Sequence, residues 1–188
     1  MTTYVKSTTI TNLDASPMVM PSAGIGAQAY EYVIDDYVTT SGLATTDVFQ
    51  VLRVPTHAMI KKLEFMSTAF AASAFDVNIT LYYSDNAPFD GSSTSNSGAV
   101  DGGTFFASAY SVGTAAMYVP VDVTYGNASG TAGTFALGNE QQALWKAAGL
   151  TSDPGGFFDI VVVPSTVTST VTDGKIYLKA HLVISGAL

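Results

Sequence analysis

Residues 174–186 read "GKIYLKAHLVISG", and nine of them alternate without a break: Ile176, Leu178, Ala180, Leu182 and Ile184 against Tyr177, Lys179, His181 and Val183. Successive side chains of a strand point to opposite faces, so this stretch is a β-strand with one apolar face turned to a core. The other face carries an aromatic ring, an ammonium, an imidazole and an aliphatic group. Such a mix suits a partly buried protein contact, a half-exposed sheet surface, the inner face against a second sheet, or a chemical site.

The same period recurs upstream. "YEYVID" from residue 30, "VFQVLRV" at 48–54, "MIKKLEFMS" at 59–67 and "DVNITLYY" at 76–83 read as strands. In the last, Val77, Ile79, Leu81 and Tyr83 face one way and Asp76, Asn78, Thr80 and Tyr82 the other. The alternation of 59–67 breaks at Lys61-Lys62, as a β-bulge would make it do. "TFFASAY" at 104–110, "AAMYVPVDV" at 115–123, "FFDIVVV" at 157–163 and "KIYLKAHLVI" at 175–184 bring the total to about eight. Met117, Val119, Val121 and Val123 share one face of 115–123, and Pro120, which has no N–H to donate, marks an edge strand.

One helix is predicted in "GNEQQALWKAAGL" at 138–150, with Asn139 as cap, Gln142 three residues on, Gly149 as left-handed stop, and Trp145 at one end of the core. Residues 84–103, rich in Asp, Asn, Ser and Gly, form a long exposed loop. Residues 1–29 lack sustained periodicity and contain Met18, Val19 and Met20 between Pro17 and Pro21. They are expected to form an extended N-terminal arm that anchors on a neighbouring surface, preceding a body at 30–188. Alternating strands, polar loops and one short helix argue for an all-β, antiparallel β-sandwich of jelly-roll-like form. An immunoglobulin-like sandwich is the rival, but the paired cysteines of its antibody-type members are missing.

Composition narrows the function. Of 188 residues, 47% are hydrophobic, ample for a core, and only 12% are charged, about half the usual share. So sparse a charge favours a surface packed against neighbours. A net charge of −8, with 7 scattered basic residues, disfavours direct nucleic-acid binding, which needs a basic stripe. No apolar run is long enough to span a bilayer, and no leader pattern opens the chain, so neither a membrane nor the usual secretory route is expected. Cysteine is absent, which removes disulfides, thiolate metal sites and a Cys nucleophile.

Chemistry has few footholds. His57 and His181 are the two imidazoles, and no nucleophile elbow, zinc-protease motif or phosphate-binding glycine loop accompanies them. Asp85, Asn86 and Asp90 offer oxygens to a hard cation, although their spacing fits no known loop and Asx turns in a solvated loop are the favoured reading. Asn78 and Asn127 begin glycosylation-type triplets. Ten tyrosines and ten phenylalanines would suit a sugar-binding groove, with Tyr82, Tyr118 and Tyr177 on outward faces; most of the others sit in the strand pattern. Neither catalysis nor a cofactor is expected.

The run "TTDVFQVLRVPTHAMIKKLEFMST", then "AFDVNITLYYSD", then "GGFFDIVVVPSTVTSTVTDGKIYLKAHLVIS" resembles the small β-rich virion proteins of tailed bacteriophages. The landmarks are Asp47 to Pro55, Ala58 to Ser67, Asp76 to Asp85 and Phe157 to Ile184. What the resemblance implies is a non-enzymatic virion subunit, assembled in the host cytoplasm. It would be an auxiliary or decoration protein of the head, often a homo-oligomer, whose partners are the major capsid protein or neighbouring copies. A carbohydrate-binding or fibre-type module for attachment is the alternative. Interface residues expected on this reading are Met18, Val19, Met20, Tyr177, Lys179 and His181, with the face of Asn78, Thr80 and Tyr82 as the other contact candidate.

Overall fold

The computed structural model describes residues 3–7, 10–11, 14–15, 30–40, 43–70, 75–84, 104–112, 116–126, 131–167 and 174–184. Ten strands occur among them: β1 (Thr3–Lys6), β2 (Tyr30–Thr40), β3 (Asp47–Pro55), β4 (Met59–Ser67), β5 (Phe75–Tyr83), β6 (Ala107–Val112), β7 (Met117–Asp122), β8 (Thr131–Ala132), β9 (Phe157–Val167) and β10 (Gly174–Ile184). They form a six-stranded sheet in the order β1-β3-β9-β5-β6-β8 and a four-stranded sheet in the order β2-β10-β4-β7.

The antiparallel pairs are nested: β2 with β10, β3 with β9, β4 with β7 and β5 with β6. That is one long hairpin rolled up so that its successive pairs fall alternately in the two sheets, the jelly roll expected from the strand pattern. Strands β2 to β7, β9 and β10 are the eight that the alternation marks. Strands β1 and β8, at opposite edges of the larger sheet, carry too few residues to show a period.

Alternation along β10 does what its sequence requires. Ile176, Leu178, Ala180 and Leu182 are buried between the sheets, where they join Leu63 and Phe65 of β4 and Val77, Ile79 and Leu81 of β5 in one core. The bulge in β4 is present: His181 pairs with Lys62 but Leu182 with Ile60, so Lys61 has no opposite number on β10. Its ammonium instead donates to the Glu140 carbonyl at 2.7 Å.

Strand β7 departs from the expected pattern. It is an edge strand, as Pro120 requires, but Phe65 pairs with Val121 and Ser67 with Met117, which leaves Tyr118, Val119 and Pro120 opposite Met66 alone. The extra residues bow out of the sheet, so Val119 leaves the core face and stands 78% exposed. The helix is also shorter than expected. A 3-10 turn at Asn139–Gln141 and an α-helical turn at Leu144–Ala147 replace it, and neither has a side-chain cap. Gln142 is extended between them because the N–H groups of Leu144 and Trp145 donate to the Ala58 and Thr56 carbonyls and not along a continuous helix. Gly149, at φ +79°, is the left-handed stop.

The outer face of the six-stranded sheet is covered over part of its area. Thr80 and Tyr82 are buried there, Tyr82 beside Val48, Val161 and Val163, so these two are not on a free contact face, whereas Asn78 is half-buried and Ser111 and Thr166, on either side of Asp76, are exposed. The unbroken apolar run at 160–163 is the sequence mark of a strand covered on both sides. Part of the segment expected as an arm lies against this sheet. Strand β1 pairs in parallel with β3, the Ser7 N–H donates to the Gln50 carbonyl, and Ile10 is fully buried. Met18, Val19 and Met20 lie outside the described residues.

An ion network ties that segment down. The Asp159 carboxylate, wholly buried on β9, accepts two hydrogen bonds from Arg53, at 2.7 and 3.0 Å. Arg53 also donates to the Ser84 carbonyl and to Asp14, which takes a further hydrogen bond of 2.7 Å from Lys6. Burial works against the charge on Arg53, yet its bonds to Asp159 and Asp14 hold the proton more tightly than usual. Burial pushes Asp159 up to about 6 against the pull of Arg53.

Replacing Arg53 with Leu is expected to cost about 3–5 kcal/mol, because it strands Asp159 in the interior. Urea denaturation reads this, and a loss below about 1 kcal/mol would mean that the pair holds little. Asp14 gives a second expectation. Burial raises its carboxyl, but the hydrogen bonds from Lys6 and Arg53 prevail and hold it below its ordinary value. Its contribution is therefore complete above about pH 4 and lost as pH falls through the lowered value. Below that point, amide exchange in residues 3–7 should rise before exchange in β10.

Candidate interaction surface

The outer face of the four-stranded sheet is open, and the register places its side chains in rows. Tyr37 of β2 stands opposite Tyr177 of β10, which stands opposite Met66 of β4, and the bulge of β7 faces Met66. This row is apolar across all four strands. Tyr37 is 40% exposed and Tyr118, in the bulge, 75%. The Tyr37 and Tyr177 rings lie 5.1 Å apart and tilted by 37°, and the Lys175 ammonium sits 4.4 Å from the centre of the Tyr37 ring.

The next row is charged: Asp35, Lys179, Glu64 and Asp122 follow one another across the sheet. After it come Val33, 51% exposed, His181 and Lys62. Glu64 is the hub. One carboxylate oxygen accepts a hydrogen bond from Lys62 at 2.7 Å; the other lies 3.8 Å from the Lys179 ammonium and 3.7 Å from His181 Nε2. The Lys62 hydrogen bond, aided by the nearby charges of Lys179 and His181, holds Glu64 below the usual carboxylate range despite its partial burial. The same bond raises Lys62.

Three of the six expected interface residues, Tyr177, Lys179 and His181, thus stand side by side on an outward face. The possibility that this set turns inward against the second sheet is excluded, since Ile176, Leu178 and Ala180 hold that side. Asp85, Asn86 and Asp90 lie outside the described residues. His57 is exposed in the turn after β3, and His181 faces Glu64 as a charge partner. Among the described residues, no group of three His, Asp or Glu side chains is placed to hold a metal ion. No helix among them is long and apolar enough to cross a membrane.

Sequence reasoning passed over Tyr37, Val33, Met66 and Glu64. Met66 and Glu64 do show in the alternation of β4, on the face opposite Leu63 and Phe65. Tyr37 and Val33 sit in a strand that runs five residues beyond "YEYVID", and the doublet Asp35-Asp36 masked its period.

No family model matches the chain, and no curated protein matches it. Among solved structures, the cyanophage Pam1 capsid asymmetric unit overlays with a TM-score of 0.44 at 17% identity, over 91% of this chain and 96% of that one. The overlay is too loose to transfer either fold or function.

Glu64→Gln should destabilise the protein most near neutral pH. The Glu64 carboxyl is lowered, so its contribution is present above about pH 4 and disappears as pH falls through the lowered value. Denaturation midpoints of the two proteins should therefore converge below about pH 3. A gap that stays constant with pH would show that the charge of Glu64 is not what matters.

Proposed function

We propose that the chain is a non-enzymatic structural subunit of a tailed-phage particle, an auxiliary or decoration protein of the head that docks through the outer face of β2-β10-β4-β7. The observation that carries this reading is the apolar row Tyr37, Tyr177, Met66 and Tyr118, which crosses an open sheet face. Rings and thioether left half-covered gain by desolvation against a second surface, roughly 25 cal/mol for each Å² of apolar area removed from water. The flanking Glu64 cluster keeps its charges mutually paired, which lowers the cost of covering it. Sparse charge across the chain and the sequence resemblance to small virion proteins support the same reading. The arm expected over residues 1–29 belongs to it only beyond Ala15, since β1, Ile10 and Asp14 are held on this chain's own sheet.

Particles purified from infected cells should contain this protein in a fixed ratio to the major shell protein. The pair His181→Ala and Tyr177→Ser should lower that ratio at least several-fold while circular dichroism and the denaturation midpoint of the free chain stay near wild type. Full occupancy with both substitutions would remove this face from the contact. Absence of the protein from particles would end the virion reading.

A further inference from the structure

The hydrogen bonds of β10 fix which way the backbone of β2 points. Lys175 donates its N–H to the Thr68 hydroxyl at 2.8 Å and accepts the Thr68 N–H at 3.0 Å, both just past the end of β4. Successive residues of a strand bond to opposite sides, so the odd-numbered residues of β10 serve β4 and the even-numbered ones serve β2. By register, the residues of β2 that bond to β10 are then Thr40, Val38, Asp36 and Ile34, opposite Gly174, Ile176, Leu178 and Ala180. Val33, Asp35, Tyr37 and Thr39 turn their N–H and C=O groups to the edge of the sheet, and all four are exposed. Tyr37 bears this out, since its N–H donates to the adjacent Asp36 carboxylate at 2.8 Å and not to β10.

Among the described residues β2 is the one long regular edge. At the other sheet ends, β1 has four residues, β8 has two, and β7 is broken by its bulge and Pro120. Strand β2 has eleven residues and no register shift against β10. An edge of that length is a template for a further strand. We infer that β2 pairs with β2 of a second copy, antiparallel about a two-fold axis at Tyr37, so that two four-stranded sheets become one. Charge selects this register. Centring the axis on Asp35 or on Asp36 sets that carboxylate directly against its own copy, which is destabilising. Centring it on Ile34 or Val38 pairs fewer of the four outward residues. Centring it on Tyr37 sets Asp35 opposite Thr39 and Asp36 opposite Val38, with the two Tyr37 rings together at the axis. Thr39 lies beside Lys175, whose ammonium is 4.4 Å from the centre of the Tyr37 ring, so each Asp35 meets a base of the other copy. The apolar row is also continued, since Met66, Tyr177 and Tyr37 of one copy run into Tyr37, Tyr177 and Met66 of the second. The Asp36 carboxylate holds the place of the missing acceptor and gives way to a carbonyl of the second copy. Such a contact is self-complementary and closes at two copies.

The inference goes beyond the docking proposal and does not depend on it; the test uses the free full-length chain and no particle. Sedimentation should show a monomer–dimer equilibrium that moves with concentration. As dimer forms, hydrogen exchange should slow at least tenfold at the Asp35, Tyr37 and Thr39 amides and change far less at Ile34 and Val38, which are already bonded to β10. Thr39→Pro removes an N–H that the monomer leaves at the edge, and it should weaken dimerisation about tenfold or more, while Thr39→Ala should not. The chain has no cysteine, and directly opposed residues of such a pair lie about 5.5 Å apart, within disulfide reach. Tyr37→Cys should therefore cross-link two copies, whereas Asp35→Cys or Thr39→Cys alone should not. A chain that stays monomeric at millimolar concentration would overturn the inference, as would a dimer in which those three amides exchange at the monomer rate. Cross-linking through Asp35→Cys and not Tyr37→Cys would overturn the register and the charge argument with it. If Thr39→Pro does not fold, amide exchange and cross-linking decide the matter.

Discussion

A carboxylate without solvent, Asp159 in the middle of β9, is the constraint from which the rest of this architecture follows. Folding leaves that charge inside only because Arg53 on the neighbouring strand meets it with two nitrogens. The fork has a nitrogen to spare, and it captures Asp14. That capture holds the N-terminal segment against the six-stranded sheet, where β1 continues the ladder from β3 and Ile10 is withdrawn from water. Tyr82, Val48, Val161 and Val163 are buried on that outer face.

The outer face of the four-stranded sheet is organised differently. Ordinary free surfaces dilute their apolar groups with charge. Here Asp35, Lys179, Glu64 and Asp122 form one row, with Lys62 and His181 of the next row facing Glu64, while the row on the other side runs Tyr37, Tyr177 and Met66 to the bulge of β7. The bulge serves two ends at once. It leaves Tyr118 and Val119 exposed beside the apolar row, and with Pro120 it disrupts the β7 edge of the sheet against strand addition.

The eight strands of the rolled hairpin, their order along the chain and even the Lys61 bulge were legible from alternation, because burial on one face writes a period of two into the residues. Legibility failed where that condition failed. Thr80 and Tyr82 look solvent-facing by alternation, yet they are covered by a layer that no local pattern announces. Val119 keeps the right parity for the core, but the register slips beside it. Residues 139–147 have the composition of a helix, yet the N–H groups of Leu144 and Trp145 are taken by the carbonyls of Ala58 and Thr56, more than 80 residues earlier in the chain.

By itself, then, the sequence determined that the chain makes a two-layer β structure and which side chains of each strand seek its core, since both depend only on neighbours along the strand. It also determined that the face of Tyr177, Lys179 and His181 would be mixed in character. Whether that face would be open or shut was decided by the tertiary structure. The surroundings of that face depend on β2 and β4 bringing Tyr37, Met66 and Glu64 to either side of β10, just as the cover on the other sheet depends on Arg53 finding Asp159 across 106 residues and drawing Asp14 after it. Such encounters are set by the packing of whole layers, where the cost of a buried charge is balanced against its partner, and no run of adjacent residues encodes them.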